Sequence, residues 1–162
     1  MVENLTRPRL TLFTGLGGRL LDDRSGSKAS QGGYDREIYY SYVPVGVAAA
    51  IPLDKAGPSL LLSAQFNWLA GGDAKSKFAR LDPEVPNVKV GLRSGWGLEA
   101  AAAVRVPIGP RAIIAGPFVR HWNVGRSKIL VLTDPDFPDA EIQFFEPRNR
   151  TTELGFRITL AF

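Results

Sequence analysis

Cysteine is absent from the 162 residues, so neither disulfides nor thiolate metal sites can contribute. Long apolar runs are also missing. The longest uncharged stretches, Ile38–Leu53 and Ala56–Gly72, fall short of the roughly eighteen consecutive apolar residues that a membrane helix needs. If the chain enters a membrane, it must do so as strands. The formal charge of +4 contains no long Lys/Arg run, which argues against a nucleic-acid partner. The opening residues Met1-Val2-Glu3-Asn4-Leu5-Thr6 have neither a basic n-region nor an apolar h-region, so an exported form would be one whose leader has been removed.

What is present is a β pattern at the length of a single domain, residues 1–162. Pro and Gly are spread throughout, and apolar residues recur with a period near two rather than 3.6, so no helix is needed. Turn signals separate the runs unequally. Asp54-Lys55-Ala56-Gly57 and Gly109-Pro110 are tight, whereas Asp22–Gly33, Gly72–Arg93 and Gly125–Arg150 are long and polar. The strands predicted between them are Arg9–Leu21, Tyr34–Leu53, Ser59–Gly71, Ser94–Ile108, Arg111–Val124 and Thr151–Phe162. That is six strands, or eight if any have been merged. In the last loop, Ile129-Leu130-Val131-Leu132 and Ile142-Gln143-Phe144-Phe145 predict that a hairpin continues beyond the sheet.

In the last nine residues Leu154, Phe156, Ile158, Leu160 and Phe162 share one strand face, while Gly155, Arg157, Thr159 and Ala161 share the other. This strand resembles the closing strand of bacterial outer-membrane β-barrels. The stretches Gly116–Asn123 and Glu146–Gly155 are similar to the final hairpin of small OmpA-like or porin-like members. The resemblance implies an all-β, antiparallel up-and-down transmembrane barrel with short periplasmic turns and long outer loops. It also implies that Leu154, Phe156, Ile158, Leu160 and Phe162 form the sorting signal read by the barrel-insertion machinery.

On that reading Leu60, Leu62, Ala64, Phe66 and Trp68 face lipid and Ser63, Gln65 and Asn67 face inward. Tyr39, Tyr40, Tyr42, Trp68, Trp96 and Trp122 lie toward the long-loop ends of their strands, where an interfacial aromatic girdle is expected. Arg19, Glu99, Arg105, Arg120, Glu153 and Arg157 fall within strands, and a charge facing lipid would cost roughly 2–4 kcal/mol for Arg at the midplane. They are expected to point inward and pair, either as a pore constriction or as the filling of a narrow lumen. The phase of Arg111–Val124 is open: Phe118, Arg120 and Trp122 face inward in one phase, Val119 and His121 in the other.

No catalytic set emerges. His121 is the only histidine, and Ser127 lies six residues on without the third polar partner that barrel lipid hydrolases use. Asp134, Asp136 and Asp139 cluster without calcium-loop spacing. Gly15-Leu16-Gly17-Gly18 lacks the remainder of a phosphate loop. No cofactor or metal is therefore expected. The function expected is a non-enzymatic integral outer-membrane protein, structural, adhesive or a small-solute channel, with lipid, the insertion machinery and homo-oligomer or envelope proteins as partners. The alternatives are a subunit lending strands or loops to a larger envelope assembly, a lipid hydrolase using His121, and a soluble lipid-binding barrel.

Overall fold

The computed structural model describes residues 7–24, 34–54, 57–80, 86–134 and 137–162. Among the described residues ten strands form: β1 (Arg9–Thr14), β2 (Gly17–Arg24), β3 (Asp35–Pro52), β4 (Ser59–Ser76), β5 (Val88–Leu92), β6 (Gly95–Ile108), β7 (Arg111–Val124), β8 (Leu130–Asp134), β9 (Phe137–Phe144) and β10 (Asn149–Ala161). Among the described residues there is no α-helix, only a 3-10 turn at Phe78–Arg80, and no helix long and apolar enough to cross a membrane. The tips of the three long loops, the middle of the Asp54–Gly57 turn, Asp136, and the side chains of Asp134 and Asp139 lie outside the described residues.

Eight strands share one antiparallel sheet, in the order β1-β3-β4-β6-β7-β10 with β2 also on β3 and β5 also on β4. β1 and β2 are successive pieces of one long strand along β3, and β5 and β6 are successive pieces of another along β4. The sheet is therefore a six-strand meander, every neighbour being the next long strand in sequence. β8 and β9 form the separate two-stranded hairpin expected beyond β7 and β10. No backbone ladder joins β10 to β1 or β2 among the described residues, so the sheet is curled but not closed.

Two backbone devices shape it. Ile108 pairs with Arg111 across Gly109-Pro110, with Gly109 at φ 58°, the left-handed geometry that a two-residue hairpin turn requires at a glycine. On β4, Ser41 of β3 pairs with Gly71 but Tyr42 pairs with Leu69, leaving Ala70 as an inserted residue. This bulge reverses the side-chain parity of β4. Before it, Asn67 and Leu69 are buried; after it Ala74 is buried, and Asp73 points outward to Lys89 at 3.0 Å.

The faces divide the meander into two regions. Toward the long loops, Ile38, Tyr40, Leu69, Val88, Val90 and Leu92 form a buried core with Trp122 and Val124, capped by Phe78, Leu132 and Phe144. The outside there carries ion pairs: Lys89–Asp73, Lys77–Glu37 and Arg24–Asp22. Toward the tight turns the polarity inverts. Leu62, Phe66, Leu98, Val104 and Val106 are exposed on the outside, and Ser63, Gln65, Glu99 and Arg105 lie on the opposite face.

Candidate functional site

Alternation in four neighbouring strands brings one transverse row of polar residues to the inner face. Gln65 of β4 pairs with Glu99 of β6, Glu99 with Arg120 of β7, and Arg120 with Glu153 of β10. A mid-strand charge on a sheet whose other face is apolar has one favourable side, and cross-strand neighbours lie about 4.5–5.5 Å apart at Cβ, within reach of a guanidinium–carboxylate contact. The Glu99 carboxylate accepts from Arg120 at 2.6 Å with one oxygen and from Arg157 at 3.1 Å with the other. Glu153 lies 3.7 Å from Arg120 with one oxygen and accepts from Arg19 of β2 with the other. Five of the six charges expected inside thus form one belt. The sixth, Arg105, is also buried but sits opposite Ser59, six residues along β6 from Glu99.

Burial decides which members matter energetically. The Glu99 side chain is 8% exposed and that of Arg157 is 52% exposed, so Arg157 is a solvated partner and Glu99 the desolvated hub. Removing one member of a buried pair leaves the other charge desolvated, which costs about 3–5 kcal/mol.

Above the belt stands an aromatic plug. Trp122 is 2% exposed, with Tyr42 edge-on at 5.1 Å, Tyr40 at 5.7 Å and the Arg19 guanidinium 5.7 Å from its ring centre. Its ring covers Gly97, where a Cβ would come within 2.9 Å of it. Phe118 covers Gly155 in the same way, between the guanidinium groups of Arg120 and Arg157. The glycines give flat rings a place to lie inside a narrow curl.

This corrects the expected girdle at three positions. Tyr40, Tyr42 and Trp122 are turned inward, while Tyr39 and Trp68 are exposed on the outer face and Trp96 lies there beside Phe66 and His121. Tyr39 and Tyr40 are consecutive, so they must face opposite ways, and Trp122 shares a face with Arg120 two residues before it. The open phase of β7 is therefore the one with Phe118, Arg120 and Trp122 inside. Below the belt, a cavity of about 270 Å³ is lined largely by small residues, among them Ala48, Ala50, Ser63, Ala101 and Ala103.

His121 faces outward, its Nδ1 2.9 Å from the Thr152 hydroxyl. Ser127 is buried elsewhere: its Oγ accepts from the Glu146 N–H at 2.8 Å and donates to the Lys128 carbonyl. They form no nucleophile–base pair with each other. Among the described residues no group of three or more His, Cys, Asp or Glu could hold a metal ion. Glu146 is buried between β9 and β10, and that burial raises its carboxyl pKa against the opposing pull of Arg36 at 3.3 Å. Leu154, Phe156, Ile158, Leu160 and Phe162 are all exposed, on or just beyond the edge strand β10. The apolar core at the loop end had not been expected, although the alternation of Val88, Val90 and Leu92 with Lys89, Gly91 and Arg93 carries its signal.

No protein-family model matches this chain, and no curated protein matches it.

Proposed function

We propose that the chain is an integral protein of the bacterial outer membrane, a strand-built transmembrane barrel without catalytic activity that presents its loop end as a structural or adhesive surface. The observation that carries this reading is the inversion of polarity within single strands. From Leu60 to Trp68, β4 alternates apolar residues outward with Ser63, Gln65 and Asn67 inward, and β6 repeats the arrangement with Leu98, Val104 and Val106 outward and Glu99 and Arg105 inward. In water such a face would leave Leu62, Phe66, Trp68, Leu98, Val104 and Val106 side by side in the open, the kind of contiguous apolar surface that marks a contact with lipid or protein. Against hydrocarbon it is the favourable surface, and Tyr39, Trp68 and Trp96 lie where an amphipathic ring would meet the headgroups.

The filled interior favours a structural role over a channel. Trp122 and the core above it occupy the space a solute would cross, and the charges below are paired with one another, Arg157 alone of them being largely solvated. The exposed residues from Leu154 to Phe162 would be the surface that the insertion machinery reads.

Because cysteine is absent, single cysteines can carry a fluorophore without background. Labelled Leu62→Cys in reconstituted vesicles should be strongly quenched by lipids carrying a quencher in the acyl chain, and labelled Asp73→Cys should be quenched only by a soluble quencher. Equal aqueous quenching at both positions would overturn the reading.

A further inference from the structure

We infer, resting on the membrane reading above, that Arg148 and Arg150 form a seat on the outer face for the headgroup of a lipid that carries a phosphate monoester. The register places it. Trp68 pairs with Trp96, Trp96 with Asn123 and Asn123 with Arg150, so two outward tryptophans and an outward arginine share one transverse row. Arg148, just ahead of β10, reaches the same row, its Nε donating to the Asn123 Oδ1 at 2.9 Å. Both arginines are exposed. On the membrane reading the tryptophan rings mark the headgroup level, and the two guanidinium groups then stand at that level too.

Charge compensation sets this patch apart from the rest of the loop end. Across the sheet, Lys89, Lys77 and Arg24 each hold a carboxylate. Among the described residues Arg148 and Arg150 form no ion pair, and neither do the exposed Arg126 and Lys128 in the segment after β7. The carboxylates nearest to the two arginines in sequence are turned away: Glu146 is buried beside Arg36, and Glu153 belongs to the inner belt with Arg19 and Arg120. Like charges side by side repel, so a cluster of cations with no acid among them favours a bound anion.

The shape of the donors selects that anion. Arg148 uses its Nε–H on Asn123, which orients the guanidinium and leaves both terminal nitrogens for a ligand. Paired N–H groups of this kind match two oxygens of one phosphate. Arg150 stands directly opposite Asn123, about 4.5–5.5 Å away at Cβ, and can take a third oxygen. A phosphate diester has only two free oxygens and a single charge, whereas a monoester has three and approaches a second charge at neutral pH.

Brominated lipids test this on the full chain in phosphatidylcholine vesicles. Of the three tryptophans Trp122 is buried inside, so in a Trp68→Phe background the outward one is Trp96, beside the seat, and its fluorescence reports the acyl chains that lie there. A minor fraction of phosphatidic acid with brominated chains, a phosphomonoester, should quench it several-fold more than the same fraction of brominated phosphatidylglycerol, a phosphodiester. Arg148→Gln/Arg150→Gln should erase that difference, and Lys77→Gln/Lys89→Gln, at cations already paired, should keep it. Equal quenching by the two lipids before the arginines are changed would overturn the proposal, as would a difference that survives their loss. The first comparison alters nothing at the seat, so it decides even should the double variant fail to fold. The membrane reading is judged separately, since quenching by brominated phosphatidylcholine with no preference between the anionic lipids would keep that reading and lose the seat.

Discussion

The loop end and the turn end of this meander are built from the same strands and obey opposite rules. At the loop end Val88, Val90 and Leu92 point inward and Lys75 and Lys89 outward, as in a protein folded by water. At the turn end Leu62, Leu98 and Val104 point outward and Glu99 and Arg105 inward. Side chains alternate within each half, with the bulge at Ala70 resetting the parity of β4 between them, and what changes is the assignment of residue types to the two faces. Stability must therefore have different sources along one strand, hydrophobic burial at one end and charge pairing at the other.

The most severe way to probe the contrast is at the hub of the turn end. Glu99→Ala removes a carboxylate shared by Arg120 and Arg157 and should cost about 3–5 kcal/mol in urea unfolding from detergent, against ~0–1 kcal/mol for Asp73→Ala in the exposed Asp73–Lys89 pair. Similar losses at the two sites would mean that the inner face is as wet as the outer one. A matched pair of leucines comes next. Leu92→Ala, in the loop-end core, should cost about 2–5 kcal/mol. On the membrane reading proposed above, Leu98→Ala should cost less than ~1 kcal/mol, because lipid or detergent would fill its place as well as leucine did. If Leu98→Ala were the costlier change, its face would be covered by protein instead.

The smallest effect is a pH dependence at the loop end. Burial holds the Glu146 pKa above the ordinary carboxylate value, so the folded state binds its proton more readily than the unfolded state. The burial penalty is therefore fully present above the raised pKa and fades as pH falls toward the unfolded value. Glu146→Gln, which imitates the protonated form, should be the more stable protein at neutral pH and should lose that advantage on acidification. A difference in unfolding midpoint that stays constant with pH would remove burial as the cause.

Much of the architecture was legible because strand faces are read from alternation alone. All six strands are present near their predicted bounds, and Glu99, Glu153, Arg157 and Arg19 were assigned to the inner face because a mid-strand charge has only one favourable side, whereas the direction of Arg120 was left open with the phase of its strand. Their partners were not legible, since pairing depends on register and register depends on turns and bulges. The insertion at Ala70 illustrates this: strict alternation beyond Leu69 would turn Asp73 inward and Ala74 outward, the reverse of what occurs. The inward tyrosines and Trp122 were misassigned because a girdle is read from position along the strand, whereas direction is fixed by parity. The open edges left no trace in the sequence, because alternation describes faces and is silent about which strand lies beside which.

The bond between Arg19 and Glu153 spans 134 positions of the chain, whereas every ladder of the main sheet joins neighbouring long strands. Closing a short loop costs little chain entropy, and closing a long one is worthwhile only when much is gained at once. The five hairpins can thus form one after another as each strand becomes available, while the tie between first and last strand must wait for all of them. The belt that ends on Glu153 is then completed late in assembly, and a chain halted before its final strand would keep Arg19 without this acceptor.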